Sequence, residues 1–212
     1  MKQAVWITRH GNRQDFVNPN WGKTARWQDD PGLSPDGIIQ AKELAERIKK
    51  ENIRHIFSSP FLRTVETASQ VAKVLGLKIK IEAGLSEWMN TDWFKPEPVL
   101  MPLAEKAVLF PEIDLSYISR IVPVCPETHE EMEIRVAKAV HIITGEFSGD
   151  ILLVGHGASV DASMYSLVGK KMEIQSSLCC LIKAVRNDGQ WILELNGDTS
   201  HLSKMEKMIR YI

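Results

Sequence analysis

Arg9, His10 and Gly11 follow a short apolar run, residues 4–8, with Arg13 two positions further on. Arg63 follows a second such run, in SSPFLRTVETA, and His156 stands between Gly155 and Gly157 after a third, DILLV. Two arginines and two histidines make a small cage of donors suited to a tetrahedral dianion. A guanidinium offers a fixed fork of N–H groups to phosphate oxygens, and Gly11 and Gly157 permit close backbone approach. A neutral imidazole is also a competent nucleophile, and neighbouring cations disfavour its protonated form, so His10 is placed to be covalently phosphorylated. Taken singly, each element has a plainer reading: Arg63 as a solvated helix residue, a histidine between glycines as a turn. Their shared position, each just after an apolar run, carries the argument. Departure of an alkoxide needs a proton, which a nearby carboxyl group can supply. Glu87, in LSEW, is one candidate, and Glu82, Asp15 and Asp92 are its rivals.

The elements that must hold these residues read as strands alternating with helices. Residues 4–8 form a buried strand. LSPDGIIQAKELAERIKKENI is an amphipathic helix with Ser34 as N-cap, Pro35 at its first position, and Ile38, Ala41, Leu44, Ala45 and Ile48 on one face. RHIFSSP is a second strand, and FLRTVETASQVAKVLG a second helix with Gly76 as C-cap. LKIKIE follows as a third strand. PETHEEMEIRVAKAVHIITGEF resumes helical spacing, DILLVGHG is another buried strand, and a helix runs from about Ala158 to Val168. SLCCLIKAVRNDGQWILELNG contains two strands joined by a hairpin at Asn187-Asp188-Gly189. The pattern predicts an α/β fold of three layers: a mostly parallel central sheet, helices on both faces, and an antiparallel strand near the end. Residues 1–212 read as a single domain. Residues 83–126, rich in proline and scattered aromatics, are too long for a connector and read as an inserted cap or lid with short helices. EKMIRYI at the end is a terminal segment of mixed polarity.

Composition narrows the class. With 26 Lys+Arg against 27 Asp+Glu, no global field recommends nucleic acid or an acidic membrane as a partner. Cys125, Cys179 and Cys180 give neither zinc spacing nor a disulfide framework, and as adjacent strand residues the last two should point to opposite sheet faces. Arg9 interrupts the first apolar run before a signal-peptide core could form, and no run of membrane-spanning length follows. The expectation is a cytoplasmic protein with no metal and no cofactor, since carboxylates and histidines do not cluster as ligands. His55, His129, His141 and His201 fall outside the candidate site.

TRHGNR, LSPDGIIQA, SSPFLRTVETA, LSEW and LLVGHG, in this order and across nearly the whole chain, resemble the histidine phosphatase superfamily, the phosphoglycerate mutase-like family. The resemblance implies His10 as nucleophile, Arg9, Arg63 and His156 completing the phosphate pocket, and Glu87 as the general acid. Gly11, Asn12 and Arg13 are then expected to bind substrate. Arg13 resembles the arginine of the TULA/Sts-type phosphatase branch, and the residues around Glu87 and the proline-rich insertion point the same way. The implied activity is metal-independent hydrolysis of phosphate monoesters, either small molecules or phosphorylated peptides, with a homodimer compatible. Mutase-type phosphoryl transfer is the alternative, and a non-catalytic phosphoprotein-binding module or a metallohydrolase lies further off.

Overall fold

The first apolar run is paired on both edges and becomes the middle of a sheet. In the computed structural model, which describes residues 3–95 and 97–204, the chain runs β1 (Gln3–Arg9), α1 (Gln14–Val17), α2 (Trp21–Thr24), α3 (Pro35–Ile48), β2 (Ile53–Ser58), α4 (Leu62–Leu75) and β3 (Ile79–Ile81). It continues through a single 3-10 turn (Ala83–Leu85), α5 (Leu103–Leu109), α6 (His129–Glu146), β4 (Asp150–Gly155), α7 (Gly157–Val168), β5 (Leu181–Asn187) and β6 (Gln190–Asp198). Pro96 of the proline-rich stretch and the EKMIRYI terminus, beyond Lys204, lie outside the described residues.

The sheet order is β3-β2-β4-β1-β5-β6, with β1 to β4 mutually parallel, β5 antiparallel to β1, and β6 antiparallel to β5. Alternation along β1 sends Trp6 to one face, with α3 and α4, and Val5 and Ile7 to the other, with α6 and α7. Two apolar cores thus separate three layers. Asp188 and Gly189 both have positive φ, 49° and 83°, as a two-residue hairpin turn requires.

Local signals explain most boundaries. Ser34 accepts from the Gly37 N–H at 3.2 Å with Pro35 next, Thr128 and Glu131 form a capping box at α6, and Gly76 closes α4 in the left-handed region. Two expectations need correction. Ile38 is exposed, and the buried face of α3 begins instead with Gly37 and Gln40, because this end packs on the polar loop after β1. Cys179 and Cys180 precede β5 and are not strand residues; Cys179 has φ 50°. They still enter opposite cores. Between Arg13 and α3 the chain forms the two short helices α1 and α2.

Candidate active site

Register places the two histidines side by side. Because β1 and β4 pair through Arg9 and Gly155, His10 and His156 leave adjacent strand ends, and the His10 N–H donates to the Gly155 carbonyl at 3.0 Å. Their rings lie 5.4 Å apart. β2, on the other side of β4, delivers Ser59, whose N–H donates to the Val154 carbonyl at 3.0 Å, and then Arg63 in the first turn of α4. Strand carboxyl ends and helix N-termini therefore converge, the usual place for an anionic ligand in such a sheet.

The loop Gly11-Asn12 is held by α3. A Cβ on Gly11 would come within 2.7 Å of the Gly37 carbonyl oxygen, and one on Gly37 within 2.1 Å of the Asn12 oxygen, so both positions need glycine for close approach. The Asn12 amide donates to Asp36 at 2.7 Å, its N–H donates to Gln40 at 2.9 Å, and its side-chain oxygen accepts from Arg13 N–H at 3.1 Å. These contacts make Asn12 part of the scaffold of the loop. Gly11 N–H donates to Thr67, which donates to the Arg63 carbonyl at 2.8 Å, joining the loop to α4.

His10 is buried, and its Nδ1 lies 2.8 Å from the Gly11 carbonyl. A carbonyl only accepts, so Nδ1 carries the proton and Nε2 keeps its lone pair. Burial, reinforced by Arg63 and Arg9, holds the His10 pKa well below that of an ordinary histidine. His156 is neutral for the same leading reason, burial, followed by Arg63. Its Nδ1 accepts from Arg63 at 3.2 Å, which leaves the Nε2 proton to be donated to Ser59 at 2.8 Å. Arg63 is buried against the Phe61 ring, and burial, then Arg13, lowers its pKa to about 9. Its Nε has no hydrogen-bond partner among the described residues. Arg9 is buried too and donates to the Ser176 carbonyl at 3.2 Å. Arg13 is held by Asp15, with one contact at 2.9 Å, and rests on Phe16.

The candidate acids separate by their partners. Glu82 is fully buried and accepts from Gly84, Ser119, Tyr117, Arg120 and Ile121, so its carboxylate is committed to ordering the 117–121 chain. Asp15 is paired with Arg13, and Asp92 is exposed at the rim. Glu87 Oε2 lies 3.4 Å from His156 Nδ1 and 3.6 Å from Arg63, at the floor of a cavity of about 310 Å³. Arg13, Asp15, Asp92, Trp93 and Phe94 also line that cavity. Among the described residues no helix is long and apolar enough to cross a membrane, and no group of three or more His, Cys, Asp or Glu could hold a metal ion.

Sequence reasoning missed the residues behind this site. Asp30 accepts from the Leu62 N–H at 2.6 Å, holding the start of α4, and pairs at 2.8 Å with buried Lys106 from α5. Arg135, on α6, reaches the backbone around Glu87. No local motif marks any of them; a lysine or arginine within an otherwise ordinary helix was the sole trace.

The chain is 30% identical, over 93% of its length, to the human Ubiquitin-associated and SH3 domain-containing protein A, a member of the TULA-type branch expected from Arg13, but it spans only 36% of that protein. It is 28% identical to the Probable phosphoglycerate mutase GpmB of Photorhabdus laumondii, over 93% of this chain and 94% of that one. The fold matches that of the ecdysone phosphate phosphatase of Bombix mori in complex with tungstate, with a TM-score of 0.74 at 22% identity, over 91% of this chain and 92% of the other. The family model for the histidine phosphatase superfamily (branch 1) matches residues 5–199, and the chain belongs to that family.

Proposed function

We propose that this chain is a phosphomonoesterase that works through a phosphohistidine on His10. The carrying observation is the Nδ1 contact of His10 with the Gly11 carbonyl, which leaves Nε2 unprotonated among arginines. Nε2 attacks phosphorus, the bond from phosphorus to the ester oxygen breaks, and Glu87 gives its proton to that oxygen. Water then attacks the phosphohistidine, Glu87 takes up the proton released, and inorganic phosphate and free His10 are regenerated. Arg9, Arg63 and Arg13 bind the phosphoryl oxygens and stabilise the charge that develops on them, the task a metal performs elsewhere, and His156 completes the pocket by holding Arg63 through Nδ1 until the phosphoryl group arrives. No metal or cofactor enters the reaction.

The cap expected from sequence is residues 83–126, whose Trp93 and Phe94 wall the cavity beside Glu87. The substrate class is a small phosphate ester or a phosphorylated peptide, with no role for nucleic acid or a membrane, in the cytoplasm, and a homodimer is compatible with the activity. The likeness to a probable phosphoglycerate mutase keeps one second reading: the same pocket returning the phosphoryl group to another hydroxyl. Phosphate release from a panel of monoesters, run beside isomerisation of 3-phosphoglycerate, separates them. Release without isomerisation is expected; isomerisation without net release would make the chain a mutase.

A further inference from the structure

Behind Glu87 lies a buried ion pair for which no motif prepares. Arg135 and Glu127 are 6% and 8% exposed, and the guanidinium meets the carboxylate through two contacts, Nε to Oε2 at 2.9 Å and NH2 to Oε1 at 2.5 Å. The remaining Arg135 donors go to main-chain carbonyls: Gly84 at 2.9 Å, Ser86 at 3.3 Å and Glu87 at 3.1 Å. Glu127 holds the other side of the same turn. It accepts from Met89 N–H at 3.1 Å, its N–H donates to the Met89 carbonyl at 2.9 Å, and its own carbonyl accepts from the Trp88 indole at 3.0 Å. The pair thus grips the backbone from residue 84 to residue 89 and ties it to the chain that enters α6. Both ends of the proline-rich segment meet at this neck.

Burying two charges is costly, and an apolar pair would serve stability as well or better. What an apolar pair could not do is satisfy three converging carbonyls while fixing the backbone that carries one side chain. Glu87 itself points away from the pair, toward His156 and Arg63. Arg135 therefore touches none of the reacting groups, and Glu127 cancels its charge.

We propose that Arg135 and Glu127 are positioning residues for the general acid: a clamp that keeps the Glu87 carboxyl within reach of the leaving oxygen. This rests on the acid role proposed above for Glu87. A misplaced acid harms only reactions that need it, so a loosened clamp should slow an alkyl phosphate far more than an activated aryl phosphate, whose leaving group departs with little protonation.

The test measures kcat/KM for one alkyl phosphate and for p-nitrophenyl phosphate in Arg135→Met, Arg135→Lys, Glu127→Gln, Glu87→Gln and the double variant Glu87→Gln/Arg135→Met, with folding checked by circular dichroism. Arg135→Met should lose about 100-fold on the alkyl substrate and under about 5-fold on the aryl one, with Arg135→Lys recovering part of the alkyl loss. The double variant should lose no more on the alkyl substrate than Glu87→Gln alone, because an absent acid cannot be misplaced. If Arg135→Met fails to fold, Glu127→Gln, which keeps the size of the side chain, should show the same selectivity at about 10-fold. Equal losses on both substrates, or additive losses in the double variant, would overturn the clamp while leaving the acid role of Glu87 standing. A Glu87→Gln variant without selective alkyl loss would overturn both.

Discussion

The two ends of the proposed site are built by different means. At the phosphate end, His10, His156 and Arg63 stand one step beyond the ends of adjacent parallel strands, or in the first turn of the helix that follows. Strand register brings the two histidines together, and Asp30 holds the start of the helix that carries Arg63. At the leaving-group end, Glu87 lies on irregular chain after the 3-10 turn, and its place depends on side chains from elsewhere, Arg135 from α6 and Glu127 ahead of it. On the proposed reading the sheet holds the phosphoryl group, while the chain around Glu87 is held by side chains from other elements. The two ends should also fail differently when altered.

The largest failure is expected at the phosphate end. Arg63→Ala removes a buried guanidinium shared by every substrate, so kcat/KM should fall about 1000-fold or more for alkyl and aryl phosphates alike. A loss confined to alkyl substrates would place Arg63 on the leaving-group side and erase the distinction. At the other end, Glu87→Gln should cost about 100-fold to 10,000-fold on an alkyl phosphate and much less on p-nitrophenyl phosphate. Equal losses there would pass the acid role to Asp92 or Asp15, the candidates that also line the cavity.

Protons sharpen the contrast at smaller scale. The unfolded chain protonates its histidines as pH falls through about 6.5, whereas burial keeps folded His10 and His156 neutral, so the unfolded state binds more protons and stability drops below that pH. Each histidine contributes a slope of up to about 1.4 kcal/mol per pH unit. Urea unfolding at pH 7 and pH 5.5 should show a smaller acid loss in His10→Gln than in the parent chain. An identical loss would mean that His10 is protonated in the folded protein. Glu66 works in the opposite sense. Burial raises its pKa to about 7, so the fold gains from its protonated form, and that gain is lost as pH rises from 4.5 through 7. The smallest effect expected is none: EDTA should leave turnover unchanged, since arginines carry the charge. Loss on chelation, restored by zinc or magnesium, would contradict the account.

The same contrast governs what could be read from sequence. Strand ends, caps and the hairpin turn are written locally, in RHG, LSPDG, GHG and Asp188-Gly189, which is why the layers and the meeting of His10, His156 and Arg63 are legible in the sequence. Ile38 misled because periodicity marks a face without saying what covers it; Gly37 and Gln40 meet a polar loop there. Arg135 and Lys106 were opaque for a stronger reason. Arg135 reaches the carbonyls of Gly84, Ser86 and Glu87, and Lys106 pairs with Asp30, all tens of residues away; Glu127, the ion-pair partner of Arg135, is nearer in sequence, but a buried ion pair leaves no periodic trace. Gly11 was legible as a point of close approach, but its neighbour proved to be Gly37 as well as any phosphate.

The central claim is that the bond to phosphorus is made by His10. The direct measurement is rapid acid-free quenching of the protein during turnover of a 32P-labelled monoester, followed by peptide mapping of the label. The account predicts an acid-labile, alkali-stable phosphate on the peptide containing His10, absent in His10→Ala, which should fold normally and turn over no substrate. A His10→Ala protein that keeps near-parental turnover, or label that maps to another residue during turnover, would contradict it.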